Sequence, residues 1–499
     1  MNVFRKKSVE QTLAETGESG HALKRDLTWW DLAIMGVAVA VGAGIFSIGA
    51  QAAAFHAGPA VVLSFLIAGV VCGAAVMCYA EFASMIPVAG SAYTFTYTTV
   101  GEIVAWVIGW DLILEMLMAG SVVSKYWGVY LNQFFELIGW NINTNIAIGS
   151  FNFDLAPVII VAFFTALLVM GTKIGARVDG ALTILKIAIV VFIVVVGFFY
   201  MKAENFTPFI PPSEPAASTD GTGVSAVMEQ PLWQWATGMA PSIYGVTGII
   251  SGAALVFFAF LGFDVVATAS EETINPKKNV PLGIGVGLGL IIVLYTLVAI
   301  VTTGMVSYKD LAKQSDPSLA VAFKMVGADW AAKIISLGIV IGMATVVMVL
   351  LLGLTRVVFA MSRDGLLPRG LSHTGKHGTP VRLQIIVGVV MALIAACCNV
   401  GILSDMVNIG TLSAFTLVAI SIPIMRKKRP DLERSFKIPG NPWVPILIAL
   451  ANLWLMVNLS VLTWIRFVVW LIVGFAIYFG YGYRHARLGA GELEVAAQE

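Results

Sequence analysis

Runs of 18 or more apolar residues recur along the whole chain, separated by short polar and charged segments. A run of that length predicts a helix that can cross a bilayer. Twelve such spans are predicted, at about 31–55, 59–81, 102–131, 157–173, 180–201, 247–269, 281–306, 333–361, 382–399, 403–425, 443–462 and 464–484. The pattern therefore predicts an all-α polytopic membrane protein with 12 transmembrane helices.

The composition excludes several other classes of protein. Hydrophobic residues make up 58% of the 499 positions and charged residues 12%, with a mean hydropathy of +0.88. A soluble protein of this length needs more charge to cover its surface. The net charge of +1, without a basic patch, indicates no nucleic-acid partner. The four cysteines lie in apolar segments without metal-site spacing, so we expect no metal and no cofactor.

Positive charge is divided unevenly between the two sides of the predicted membrane protein. With the amino terminus inside, 22 of the 30 Lys and Arg residues are cytoplasmic, seven are outside and Lys186 lies within a span. The positive-inside rule therefore predicts that both termini are cytoplasmic, and we expect a location in the cell membrane. The first 30 residues contain no apolar core, so we expect no cleaved signal peptide.

Glycines interrupt two of the predicted spans. The first span contains VGAGIFSIGA (41–50) and the sixth contains VFFAFLGFDVV (256–266). A glycine inside a helix costs about 1 kcal/mol relative to alanine. An offset of 217 residues carries spans two to five onto spans seven to ten, although the eighth is displaced. Five spans per half predict an inverted repeat, and the paired interruptions indicate a midplane binding site.

This repeat and the regions on either side of it divide the chain into seven segments. They are a cytoplasmic segment at 1–30, the first repeat at 31–201, an extracellular loop at 202–246, the second repeat at 247–425, a cytoplasmic loop at 426–442, two last helices within 443–484 and a cytoplasmic tail at 485–499. The long loop is expected to contain a short helix around LWQWATGM.

Several long motifs resemble the amino acid–polyamine–organocation (APC) superfamily, most closely its cationic amino acid transporter family and bacterial relatives. They are GAGIF, CYAEFASMIPVAGSAYTFTYTTVGE (78–102), IGWDLILEM (108–116), FFAFLGFDVVATASEETINPKKNVP (257–281) and TRVVFAMSRDGLLP (355–368). The resemblance covers roughly residues 25–425. It implies a LeuT-type fold and amino acid transport by alternating access, with either cationic or neutral amino acids as substrates.

The two interruptions supply groups that suit the two ends of an amino acid zwitterion. Free N–H groups at the start of a half-helix suit a carboxylate, so we assign it to the amides around Gly42, Ala43, Gly44 and Ile45. The family pattern implies that the ammonium binds carbonyls around Phe258, Ala259 and Leu261, with Phe258 also a candidate gate. Met343 of the eighth span is expected in the pocket wall. Close helix packing is the alternative role of the glycines.

Lys186, in ALTILKIAIVVFIVVV, lies roughly 10 Å into the hydrocarbon at 1.5 Å per residue. A lysine at that depth needs partners, unless it extends to the cytoplasmic face. The resemblance implies that a lysine of the fifth span takes the place of a sodium ion in the proton-coupled relatives. Lys186 is therefore the expected proton-coupling group, and its ammonium is expected to bridge the unwound first span to the eighth, where Thr345 is the candidate partner.

Glu115 and Asp111 stand four residues apart on one face of the third span. Two such carboxylates do not both face lipid. Glu115 is assigned either to a hydrogen bond between helices or to recognition of a basic substrate side chain. At the cytoplasmic ends, Glu81 and the segments 271–278 and 361–369 are expected to form an inner gate, with an arginine pairing with Glu271 or Asp264.

The class of protein is predicted to be a transporter and not an enzyme. The sequence contains no GxxxxGK[ST] nucleotide loop, and it carries too few intramembrane charges for a channel lining. We expect a sodium-independent proton symporter. An exchanger of amino acids or polyamines and a transporter-like amino acid sensor are the alternatives. The expected partners are the substrate, protons and the lipid bilayer, and a small membrane subunit is left open.

Overall fold

The computed structural model of the chain consists mostly of helices packed side by side. It describes residues 5, 27–85, 91–140, 144–148, 151–170, 175–216, 226–262, 266, 273–314, 316–373, 380–430, 434 and 436–487. Within these residues, six helices are long and apolar enough to cross a membrane, and six shorter apolar helices of 10–17 residues accompany them. The protein is therefore a multi-pass membrane protein, whereas a count of twelve crossings stays a prediction.

The principal helices follow the predicted spans closely. They are α1 (Trp29–Ala40), α2 (Val61–Met85), α3 (Ser91–Thr99), α4 (Glu102–Leu137), α5 (Leu155–Met170), α6 (Gly175–Phe198), α7 (Gly245–Val256), α8 (Pro276–Met305), α9 (Leu319–Met325), α10 (Asp329–Arg363), α11 (Val381–Cys397), α12 (Val400–Lys428), α13 (Trp443–Val457) and α14 (Val461–Ile477). Each predicted span overlaps one of them, and the two short helices α3 and α9 are additional. The inverted order of two five-helix halves stays a prediction.

Small elements occupy the connections between the long helices. A hairpin of β1 (Asn145–Ile148) and β2 (Phe151–Asp154) precedes α5, and β3 (Glu214–Pro215) pairs with β4 (Ser242–Ile243) in the long loop. The helix expected around LWQWATGM is present as Leu232–Thr237. The pattern of long apolar runs did not predict the hairpins, because each strand has only two to four residues.

Helix α4 is the most buried long helix of those described and lies among α10, α12 and α14. Small residues allow this close packing. A Cβ added to Gly353 of α10 would lie 3.1 Å from Met116 Sδ, and one added to Gly410 of α12 would lie 3.3 Å from Leu114. The three helices thus hold α4 against the centre of the molecule, where the interrupted helices meet it.

Candidate functional site

The first predicted interruption is present and lies at Val41 and Gly42. Helix α1 ends at Ala40, Val41 has a non-helical ψ of 89°, and helical structure resumes as a wide turn at Gly44–Ile48. Two carbonyls at the end of α1 accept hydrogen bonds from side chains. The Tyr295 hydroxyl donates to Ala40 O (2.6 Å), and the second acceptor is Ala38 O. The first amides of the resumed half-helix have no acceptor inside it, which is the condition for binding an anion.

The second interruption is also present. Helix α7 tightens into a 3₁₀ turn over Phe257–Phe260 and ends at Leu261, whose ψ of 153° is extended. Gly262 follows with a φ of +103°, in the region that favours glycine. Carbonyls at such a helix end carry the negative end of the dipole, which suits an ammonium group.

The two interruptions pack directly against each other. A Cβ added to Gly44 would lie 2.4 Å from Ala259 Cα, and one added to Gly262 would lie 2.3 Å from Val39 Cγ1. Glycine is therefore required at Gly44 by close approach of the facing backbone, and at Gly262 by the positive φ and the Val39 side chain. The freed backbone groups of each half-helix are shielded from lipid by the other, as a membrane protein requires.

A cavity of about 30 Å³ lies at this contact. The predicted residues that line it are Gly42, Ala43, Gly44, Glu115, Phe258 and Leu261. Ala259 contributes instead through its contact with Gly44, and Ile45 lines a separate cavity of about 10 Å³ against Phe65. Met343 is fully buried outside the described lining, and one turn further along α10 Val346 lines the cavity.

The other described residues in the wall of this cavity are almost all apolar. Its members that were not predicted are Val39, Ala40, Met116, Ala119, Val123, Gly262, Val346 and Leu350. Glu115 is the one carboxylate side chain among the described lining residues, and its side chain is 4% exposed. The volume accommodates about two water molecules, because one water needs about 10–15 Å³ by this measure. An amino acid would therefore require the walls to move apart.

Lys186 reaches the first interruption from α6. Its ammonium donates to Ala38 O at 2.8 Å, and its side chain is 1% exposed. Its alkyl chain lies against α10, because a Cβ on Gly342 would be 2.9 Å from Lys186 Cγ. Lys186 therefore contacts α1 by a hydrogen bond and α10 by an apolar contact of its alkyl chain, and a bridge through its ammonium to Thr345 stays a prediction. The Thr345 hydroxyl donates to Gly342 O within its own helix (3.0 Å).

Asp111 and Glu115 point to different surroundings. Asp111 is fully buried and accepts a hydrogen bond from the Ser413 hydroxyl of α12 at 2.8 Å, whereas Glu115 lines the cavity. Asp111 therefore links two helices. Glu115 is the one placed where it can meet a substrate.

An ion pair closes one end of the helix bundle. Glu81, at the end of α2, is fully buried and accepts two hydrogen bonds from the Arg426 guanidinium, one of them at 2.7 Å to Oε1. The backbone N–H of Ile438 also donates to Glu81 Oε2 (2.9 Å). Glu81, expected as part of an inner gate, thus forms an ion pair with an arginine. The candidates Asp264 and Glu271 lie outside the described residues.

Two tyrosines of α4 close the opposite end of the helix bundle. They were not predicted from the sequence. The Tyr130 hydroxyl donates to Phe46 O and lies 3.4 Å from the Ser47 hydroxyl. One turn before it, the Tyr126 hydroxyl donates to Gln51 Oε1 at 3.1 Å. Both tyrosines thus tie α4 to the resumed half of the first span. In the sequence, Tyr126 and Tyr130 stand four residues apart on the helix face of Glu115, and this pattern was the signal for their contact with the first span.

The comparisons with known proteins agree with this geometry. The family model described as "Amino acid permease" matches residues 27–479, which includes both interruptions. The chain belongs to the amino acid permease family. The resemblance to the APC superfamily is thereby confirmed, and the permease transports amino acids across a membrane as its family does.

Curated relatives of the permease are transporters. The chain is 41% identical to the branched-chain amino acid permease BcaP of Bacillus subtilis, over 98% of this chain and 99% of the relative. It is 40% identical to the methylthioribose transporter of Bacillus subtilis, over 98% and 99% respectively. It is 36% identical to the vacuolar cationic amino acid transporter 2 of Arabidopsis thaliana, over 86% of this chain and 64% of the relative. The prediction that the protein is a transporter and not an enzyme is confirmed.

Proposed function

We propose that this permease is a proton-coupled, sodium-independent symporter of neutral aliphatic amino acids in the cell membrane. The observation that carries the proposal is the cavity at the two helix interruptions. It combines backbone groups for a zwitterion with apolar walls for an aliphatic side chain. The substrate binds there while the two ends of the bundle open in turn, with the termini on the cytoplasmic side.

The zwitterion is held by helix ends in this proposal. Its carboxylate accepts hydrogen bonds from the amides around Gly42, Ala43 and Gly44, at the positive end of the resumed half-helix. Its ammonium donates to carbonyls around Phe258 and Leu261, at the opposite end of a helix dipole. Both sets of groups already border one cavity, which holds both ends of the substrate once the walls move apart.

The walls favour an aliphatic over a cationic side chain. The side chains of Val39, Val123, Val346 and Leu350 offer no hydrogen bonds to a guanidinium or ammonium group. The similarity to a permease named for branched-chain amino acids supports this assignment. Glu115 favours a second candidate, a cationic substrate, because a buried carboxylate on the wall can pair with a basic side chain.

Lys186 is the proposed coupling group. Its ammonium bonds to Ala38 O, three residues before the first interruption, while its stem lies along α10 at Gly342. Loss of its proton removes that charge-assisted bond and loosens α1 from α6. Proton release is thereby linked to movement of the helix that binds the substrate.

Uptake into proteoliposomes with and without an inward proton gradient tests this proposal. We expect the gradient to drive leucine accumulation without sodium, and Lys186→Ala to abolish the drive while leucine exchange persists. Lys125→Ala is the matched control, because Lys125 also donates to a backbone carbonyl (Ala395 O, 3.0 Å) yet does not line the described cavity. Unchanged gradient-driven uptake by Lys186→Ala contradicts proton coupling through this residue.

Competition by other solutes separates the two candidate substrates. Excess isoleucine or valine is expected to block leucine uptake, whereas arginine is expected to have little effect. If arginine or lysine competes better, and Glu115→Gln removes that competition, the cationic candidate replaces the aliphatic one. Methylthioribose belongs in the same panel because of the second relative's name. Counterflow that proceeds at full rate without any gradient effect indicates an exchanger.

A further inference from the structure

A second and much larger cavity lies at the end of α4 that is remote from Glu102. Its volume is about 450 Å³, compared with about 30 Å³ at the helix interruptions. It separates the last two turns of α4 from the short helix α9 and the loop before α9. The described residues that line it are Val129, Asn132, Gln133, Glu136, Leu137, Gln314, Asp316, Ala320, Val321, Lys324 and Met325.

The cavity lies directly beyond the tyrosine contacts. Gln133, at the cavity wall, donates to the Ser318 hydroxyl at 3.4 Å, and Tyr130 is one turn further into the bundle on α4. Tyr130 in turn donates to Phe46 O in the resumed half of the first span. A solute in the large cavity is therefore separated from the central site by the contact between Tyr130 and the first span.

Charges of both signs face this cavity. Lys324 of α9 donates to Glu136 of α4 at 2.7 Å, and both side chains are at least half exposed. An exposed pair of this kind is worth at most about 1 kcal/mol, so a charged solute can replace either partner. Asp316 adds an exposed carboxylate at the same wall. The arrangement presents acceptors for an ammonium group and a donor for a carboxylate.

The rest of the wall is apolar. Val129, Leu137, Val321 and Met325 line it between the charged groups. Ligand sites of about 300–1,000 Å³ typically combine apolar walls with a few fixed polar groups, and this cavity falls in that range. Its size and its charges fit a free amino acid, whereas the central cavity in this conformation is too small for one.

We propose that this cavity is a loading site that binds the zwitterionic amino acid before the tyrosine contacts open. The ammonium binds Asp316 and Glu136, the carboxylate binds Lys324, and an aliphatic side chain lies on the apolar wall. This inference rests on the proposed amino acid transport. It adds a second binding site, which raises the local substrate concentration on one face of the membrane only.

Transport kinetics measured separately from each face test the loading site. Asp316→Asn and Lys324→Gln are each expected to raise the half-saturation concentration for leucine entering from the cavity face about tenfold, equivalent to about 1.4 kcal/mol. Transport from the opposite face and the maximal rate are expected to stay unchanged. Val321→Trp, which fills the cavity without altering its charges, is expected to give the same one-sided effect.

Asp310→Asn and Lys313→Gln are the matched controls. These residues form an exposed pair in the same loop at 2.8 Å and do not belong to the described cavity wall. We expect both variants to behave as the unaltered protein. Equal half-saturation concentrations in Asp316→Asn and the unaltered protein, or equal changes from both faces, overturn the loading site while transport itself persists. Absence of amino acid transport by the unaltered protein overturns the proposed function instead.

Discussion

Gly42 and Gly44 stand two positions apart in the first interruption yet have different neighbours. A Cβ on Gly42 would be in ordinary contact with Val346 Cγ2 at 3.7 Å, whereas one on Gly44 would overlap the backbone of Ala259 at 2.4 Å. The backbone of a facing half-helix cannot rotate away as a side chain can. Gly44 therefore permits the close approach of the two half-helices, and Gly42 mainly permits the bend in the first span.

Alanine substitution separates these two roles. Gly44→Ala is expected to push the half-helices apart, lower the free energy of unfolding by about 1–3 kcal/mol and reduce leucine uptake at least tenfold. Gly42→Ala is expected to fold normally, with leucine binding altered only by the volume of one methyl group. Thermal unfolding in detergent and uptake into proteoliposomes measure both effects.

Gly285→Ala of α8 is the control for that pair, because nothing lies within 4 Å of its added Cβ. It is expected to match or slightly exceed the stability of the unaltered protein, since alanine favours a helix. Uptake by Gly44→Ala at the level of Gly285→Ala means that the two interruptions do not need their present contact.

At the scale of helices, the bundle end at Glu81 joins three parts of the chain. The carboxylate of α2 binds Arg426 at the end of α12 and the backbone of Ile438 in the following loop. Because Glu81 is fully buried, its negative charge depends on these donors. This contact is positioned to hold one end of the permease closed.

Glu81→Gln is expected to open that end. Loss of the charge leaves Arg426 without its counterion, and breaking a buried pair in this way costs about 3–5 kcal/mol. We expect a lower midpoint of thermal unfolding and faster reaction of an engineered cysteine near the cavity with reagents applied from this end. Asp310→Asn, in an exposed pair, is expected to change the stability by no more than about 1 kcal/mol. Equal stability of the two variants would exclude a closing role for Glu81.

The helices were predictable from the sequence because their apolar runs are long. The contacts between the helices were not predictable in the same way. Residues 41–50 indicated the first interruption to within one or two positions, and the structure places Lys186 beside it. The exact wall residues depend on helix rotation, so the predicted Met343 differs by one turn from the observed Val346. Tyr130 contacts the first span 84 residues away, and the cavity at α9 lies between segments almost 200 residues apart, which spacing along the chain does not encode.

At the scale of the whole molecule, both ends of the described chain meet at the start of α4. The Arg5 guanidinium donates to Glu102 Oε1 (2.7 Å) and to Tyr483 O (3.0 Å). Tyr97 and Tyr478 donate to the same carboxylate. Burial, followed by the neighbouring Glu102 charge, raises the pKa of Tyr97, so its phenol stays protonated and keeps donating. One buried carboxylate thus contacts residues near both ends of the described chain.

Five of the predicted spans lie between residues 309 and 484, so labelling of single cysteines can test whether these two positions lie on opposite faces. In a variant without native cysteines, Lys309→Cys and Arg484→Cys place exposed thiols at opposite ends of the bundle. An impermeant maleimide applied to intact cells is expected to label Lys309→Cys and not Arg484→Cys, because the excess of positive charge places the termini inside. The reverse labelling would invert the orientation and place the loading cavity in the cytoplasm, and labelling of both positions would contradict an odd number of crossings between them.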